Sequence, residues 1–336
     1  LRARRTRNGK ERGNRRFETG NKEDFMRSIR IALTATFMMT GAAFAAEPES
    51  CATVRFSDVG WTDITATTAA TTEILKALGY ETEIKVLSVP VTYASLGNKD
   101  IDVFLGNWMP SMAADLQPYL DNKTVETVRA NLTGAKYTLA TNAHGAALGI
   151  KDFADIAKNK DALEGKIYGI EPGNDGNRLI LDMISKNSFE LGTFEVAESS
   201  EQGMLAQVAK NTKDGKPIVF LGWAPHPMNS NFELTYLAGG DEYFGPNFGG
   251  ADVFTNVRAG YVAECPNVGK LLTNLEFSLP MENQIMGAIL DGGAEPSKAA
   301  TDWLKANPGA LDAWLAGVTT KDGGDAMAAV KGALGL

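Results

Sequence analysis

The chain has 336 residues, 44% of them hydrophobic, and a formal net charge of −8. Residues 1–45 hold 11 of its 33 Lys and Arg side chains and 4 of its 41 Asp and Glu, which leaves 22 basic against 37 acidic residues in the rest. So acidic a body argues against nucleic acid or anionic membrane as partners, favours cationic ligands, and is long enough for two α/β lobes.

Residues 1–25 are rich in Arg, begin with Leu and precede Met26. They read as a translated upstream stretch or a mis-called start; a basic nucleic-acid arm is the alternative. Residues 26–45 read as a signal peptide. Arg27 and Arg30 form the basic region, 31–43 the apolar run, and Ala43-Phe44-Ala45 the small-x-small cleavage pattern. The apolar run is too short for a transmembrane helix. Cleavage is expected after Ala45 or Ala46. Glu47-Pro48-Glu49-Ser50 ahead of Cys51 is no lipobox, so the expected location is the periplasm without a lipid anchor.

In the body, strand and helix alternate. Residues 53–56 read as a strand ending at Gly60-Trp61, and 64–78 as a helix stopped by Gly79. Residues 83–89 form the next strand, stopped by Pro90. Residues 102–105 make a buried strand ending in Gly, Trp and Pro. A second set opens with the strand 166–170, the Gly-rich turn 172–176 and a helix over 177–186. Residues 217–221 are a further buried strand. This alternation predicts an α/β fold with mostly parallel sheets covered by helices. From Val268 onward the pattern is helical, with Trp303 and Trp314 as core anchors.

Cys51 and Cys265 are an even count in an exported chain, which predicts one disulfide rather than a metal pair. That bond would bring the start of the mature chain beside a segment far downstream, so the middle forms its own lobe. The expected layout is lobe I from 46–132 and 234–336, lobe II from 136–230, and crossovers near 132–135 and 230–234.

Three tryptophans recur in similar settings: Gly60-Trp61, Gly106-Asn107-Trp108 and Gly222-Trp223 each come just past a predicted strand. Ligands of open α/β sheets bind beyond the carboxyl ends of strands. A quaternary ammonium has no N–H to donate, so aromatic faces must hold it, each contributing about 0.5–2 kcal/mol. Asp63, two residues past Trp61, is the candidate carboxylate.

The segments GWTD, FLGNWMPS, EPGNDGN and FLGWAPHPMN together resemble the periplasmic choline-binding proteins of ABC importers, within the wider glycine betaine/choline-binding group. The resemblance runs through nearly the whole mature chain. It implies a type II periplasmic binding fold with a ligand cleft between two lobes. It also implies an aromatic cage of Trp61, Trp108, Tyr137 and Trp223, with Asp63 facing the ammonium and Asn174 binding the hydroxyl. The implied partners are choline, with acetylcholine and more weakly betaines as further ligands, and the permease and ATPase of the importer. A monomer without cofactor or metal is expected.

Other readings are weaker. The sequence lacks a G-x-S-x-G elbow, an H-E-x-x-H helix and a G-x-x-x-x-G-K-[ST] loop, so no enzyme is expected. His144 reads as a satisfied residue, and His226 as part of the Pro225–Pro227 turn rather than a cleft residue. The 173–176 loop reads as a tight turn, because no Lys accompanies it as a phosphate cradle would require. A glycine betaine or proline betaine receptor is the runner-up; an anionic Asp63 would repel such a ligand's carboxylate. A membrane-tethered sensor lacks a second apolar span.

Overall fold

The structure, a computed structural model, describes residues 47–336. The expected leader and cleavage site lie outside the described residues.

Among the described residues nine strands form one sheet in the order β2-β1-β3-β9-β4-β7-β5-β6, with β8 paired to β4. They are β1 Thr53–Asp58, β2 Glu81–Val86, β3 Val103–Met109, β4 Val125–Asn142, β5 Lys166–Tyr168, β6 Glu195–Ala197, β7 Val219–Ala224, β8 Leu234–Tyr236 and β9 Gly250–Arg258. Two parallel trios stand at the ends: β1 with β2 and β3, and β5 with β6 and β7. Between them β9 and β4 run antiparallel to each other and to their outer neighbours. The expectation of mostly parallel sheets holds at the ends and fails at the centre. The reason is β4, whose 18 residues pair with β9 from Val125 to Lys136 and with β7 from Lys136 to Thr141. A strand that passes from one trio to the other, flanked by antiparallel neighbours, needs no covering crossover helix.

The result is a two-lobed α/β architecture, as expected, and β4 carries the chain from the first parallel trio to the second. The chain returns through β9. Before that, Leu234 to Tyr236 still pair with Ala140 to Asn142, and Phe153 N–H donates to Ala238 O.

The first helix spans Thr62–Ala77 and ends where Gly79 takes φ +92°. Its face of Ile64, Ala70, Ile74 and Leu75 is fully or almost fully buried, and each large side chain there contributes about 1.5–3 kcal/mol by leaving water. A Cβ on Gly106 of β3 would stand 2.7 Å from Ile64, so only glycine lets the helix lie this close to the strand. Pro90 does not simply stop a strand. It sits in the first turn of the helix Val89–Asn98, where a missing N–H costs nothing. The helical tail is as expected, with Trp303 stacked on Trp314 at 6.2 Å between ring centres.

Cys51 and Cys265 are bonded, 214 residues apart, with Cα atoms 5.6 Å apart. Closing so long a loop stabilises the fold by several kcal/mol, on the order of 4, in a chain-entropy account. Among the described residues no helix is long and apolar enough to cross a membrane.

Candidate functional site

The three tryptophans converge, by a slightly different route from the one expected. β3 and β7 run further than the Gly residues suggested, so Trp108 and Trp223 are the penultimate residues of their strands rather than turn residues. Trp61 is the N-cap of the Thr62–Ala77 helix, three residues beyond β1. Tyr137 lies directly across from Trp223 in the β4/β7 pair. Its ring centre is 6.3 Å from that of Trp223 and 6.0 Å from that of Trp108. Trp61, Asp63, Trp108, Tyr137, Trp223 and Ile170 line one small recess.

Asn174 is placed differently. It does not line the recess but stands behind Tyr137. Its Oδ1 accepts from Tyr137 Oη at 3.0 Å and from Asn177 N at 3.0 Å, which caps the helix Asp175–Ser185, and its Nδ2 donates to Asp175. Gly176 makes room for this arrangement, since a Cβ there would stand 2.1 Å from Tyr137 Oη.

The polar chemistry of the recess is one-sided. Asp63 is fully buried; its Oδ2 accepts from Trp108 Nε1 at 3.1 Å, while Oδ1 has no partner among the described residues. Burial, reinforced by the neighbouring Glu201 carboxylate, pushes the Asp63 carboxyl up to about 8, against the pull of the Trp108 hydrogen bond. Behind it, burial and Asp63 itself hold Glu282 well above the usual carboxylate range. Burial raises Glu171 to about 7 and Asp175 to about 6. Among the described residues no Lys or Arg lines the recess. The hydrogen-bond donors of Trp61, Trp108 and Tyr137 are already engaged, by Glu171, Asp63 and Asn174. Such a pocket offers aromatic faces and carboxyl groups that a cation can draw into their charged form, and few donors for an anion.

Several contacts join the two sides of the cleft. Trp61 Nε1 donates to Glu171 at 2.8 Å, Thr62 N to Glu201 at 2.8 Å, and Arg178 Nη2 to Ser111 O and Asp115 Oδ2 at 2.9 and 2.7 Å. The two parts of the chain therefore meet in a closed arrangement around the recess. His144 is satisfied, its Nε2 lying 3.1 Å from Thr212 O. His226 belongs to the turn after β7, as expected, but is buried there with its ring edge-on to Trp223 at 4.9 Å.

Sequence reasoning missed Ile170, Glu201, Glu282 and Phe244, whose ring meets Tyr137 at 5.7 Å. A signal existed for Ile170 alone, the last residue of an expected strand and hence at a carboxyl edge.

Residues 52–306 match the model of the substrate-binding domain of ABC-type glycine betaine transport systems. A solved ABC-transporter choline-binding protein in complex with choline is 74% identical, with a TM-score of 0.85 over 86% of this chain and all of that one. An ABC-transporter choline-binding protein in an unliganded semi-closed conformation is 74% identical over the same shares, with a TM-score of 0.79. The lactococcal glycine betaine-binding protein OpuAC, closed around glycine betaine, is 25% identical, with a TM-score of 0.69 over 78% of this chain and 98% of that one.

Proposed function

Because this chain belongs to the substrate-binding domains of ABC-type glycine betaine transport systems, we propose that it is an exported, periplasmic receptor that captures choline and delivers it to an importer's permease and ATPase. It binds and releases its ligand unchanged, as a monomer, without cofactor or metal. The observation that carries the reading is the recess: four aromatic rings and a buried carboxylate with a free oxygen, and no basic side chain. A trimethylammonium head fits those faces. Three or four of them with one carboxylate reach the roughly −8 kcal/mol of a micromolar binder. The similarity to a choline complex supports the same ligand.

In this reading Trp61, Trp108, Tyr137 and Trp223 hold the ammonium, and Asp63 neutralises it. Asn174 meets the hydroxyl only by sharing its engagement with Tyr137 and Asp175. Lobe I comprises 46–132 and the chain from β9 onward, and lobe II begins at 136. The β4/β8 pairing supports keeping residues 234–249 with lobe II, which moves the return crossover from 230–234 to the start of β9. Acetylcholine is a second candidate ligand. A betaine receptor is the alternative that the family description favours, and engaged donors beside an anionic Asp63 count against it.

Calorimetry of the chain from residue 47 against choline, acetylcholine, glycine betaine and proline betaine tests this directly. Choline is expected to bind most tightly and to shrink the radius of gyration. Glycine betaine binding more tightly than choline would replace the reading with its alternative.

A further inference from the structure

The Thr62–Ala77 helix presents Trp61 and Asp63 to the recess, yet its own N-cap residue is Trp61, whose side chain caps nothing. An indole has no acceptor oxygen, and the first amides of a helix need one. The acceptor comes from across the cleft. Glu201, in the first turn of the helix Glu201–Lys213, is almost fully buried. Its Oε2 accepts from Thr62 N at 2.8 Å and its Oε1 from Thr62 Oγ1 at 2.6 Å. Oε1 also lies 3.1 Å from His226 Nε2. Met228 N–H donates to His226 Nδ1 at 2.9 Å, which leaves Nε2 as the donor to Glu201. The His226 ring in turn packs edge-on against Trp223. One carboxylate thus touches the residue between Trp61 and Asp63 and, through His226, supports Trp223.

We propose that Glu201 is a cross-cleft positioning residue: lobe closure delivers its carboxylate as the missing N-cap of the Thr62–Ala77 helix, and this cap sets Trp61 and Asp63 against the ligand. The proposal rests on reading the recess as a quaternary ammonium site and adds a residue that touches no ligand. An anion at a helix N-terminus is favoured by the aligned peptide dipoles. Because the bond forms only on closing, it biases the open–closed equilibrium toward the binding-competent form. Its loss is felt as faster ligand escape, not as a weaker fold of the empty receptor.

The test is a double-mutant cycle with Glu201→Gln and Thr62→Val, read as choline affinity, dissociation rate by stopped-flow tryptophan fluorescence, and urea midpoint of the empty protein. Glu201→Gln is expected to weaken binding roughly ten-fold, as loss of a charged hydrogen-bond acceptor does, chiefly through dissociation. The double variant is expected to be weaker than the parent by clearly less than the product of the single effects. The urea midpoint is expected to stay at the parent value. Additive effects, or a lowered midpoint with parent-like dissociation, would overturn the proposal and assign Glu201 to the scaffold of its own lobe. If Glu201→Gln does not fold, Thr62→Val decides alone: about three-fold faster dissociation is expected, and the parent rate overturns the proposal. Should the parent receptor close on a different quaternary amine, the cycle is run on that amine; the choline reading then fails while the coupling still decides the role of Glu201.

Discussion

Two buried aspartates near the amino-terminal parallel trio show opposite ways of keeping a charge out of water. Asp102 has its counter-charges built in: Arg55 grips both oxygens at 2.7 and 2.9 Å, Arg258 Nε adds a bond at 2.7 Å, and Arg258 continues to Glu264 at 2.7 Å. Asp63 has one indole N–H, an oxygen with no partner among the described residues, and the carboxyl groups of Glu201 and Glu282 as neighbours. Removing a charge from water is costly unless pairing offsets it. The first cluster has met that cost within the chain and is scaffold. The second leaves it open, and a cationic ligand closes it.

The contrast sharpens into separable effects. Asp102→Ala strands two guanidinium groups and is expected to lower stability by about 3–5 kcal/mol in urea unfolding; folded protein that remains is expected to bind choline with parent affinity. Asp63→Asn is expected to do the reverse. Choline affinity falls by about 2 kcal/mol, on the order of thirty-fold, the gap to glycine betaine narrows, and the empty protein unfolds at an equal or higher urea concentration. Equal losses of stability in the two variants would break the comparison. Trp61→Ala, Trp108→Ala and Trp223→Ala are each expected to weaken choline by about 1–2 kcal/mol in calorimetry; parent-like affinity in any two would remove the cage.

The pH response follows from the same asymmetry. Asp63 keeps its proton to about 8 in the empty closed recess, against 3.8 for an ordinary aspartate. The unfolded chain gives up that proton first, so the empty protein loses stability as pH climbs from about 4 to about 8, with Glu171 and Asp175 acting in the same direction. A bound cation restores the carboxylate and expels the proton. Choline affinity is therefore expected to weaken several-fold from about pH 8 to about pH 6, with proton release visible as a buffer-dependent binding enthalpy; Asp63→Asn should flatten the profile. The smallest expected effect is on the surface. Breaking the exposed Lys298–Asp302 pair should change stability by less than about 0.5 kcal/mol and leave binding alone.

Much of this was legible in the chain itself. The repeated Gly–Trp segments announced the rings, and the strand–helix alternation announced both parallel trios. Gly106 and Gly222 misled, because they looked like strand ends. Both are strand interiors where a neighbour comes close: Ile64 against Gly106, and Ala140 with Tyr236 against Gly222. β4 carries polar residues and three register shifts, so its period-two signal was broken and the antiparallel centre was missed. Tyr137 and Asn174 carried no local mark and rested on family resemblance. Glu201 was invisible for a different reason: its partner Thr62 lies 139 residues upstream, and no local pattern encodes a contact between lobes.

The sheet order has a consequence for how the receptor comes into being. The carboxyl-side trio of β5, β6 and β7, with β8 and the second half of β4, comes from one unbroken stretch of chain. The amino-side trio cannot be finished until β9 arrives to cover β3, and the Cys51 disulfide waits for Cys265. A chain that emerges amino-end first would thus carry its first-made half longest as an unpaired, sticky intermediate, exposed to proteases and aggregation. Chains truncated just before residue 250 are expected to yield a protease-resistant core from 136 onward and rapid cleavage within 53–109. The reverse pattern would show that the amino-terminal trio folds without its late-arriving strand.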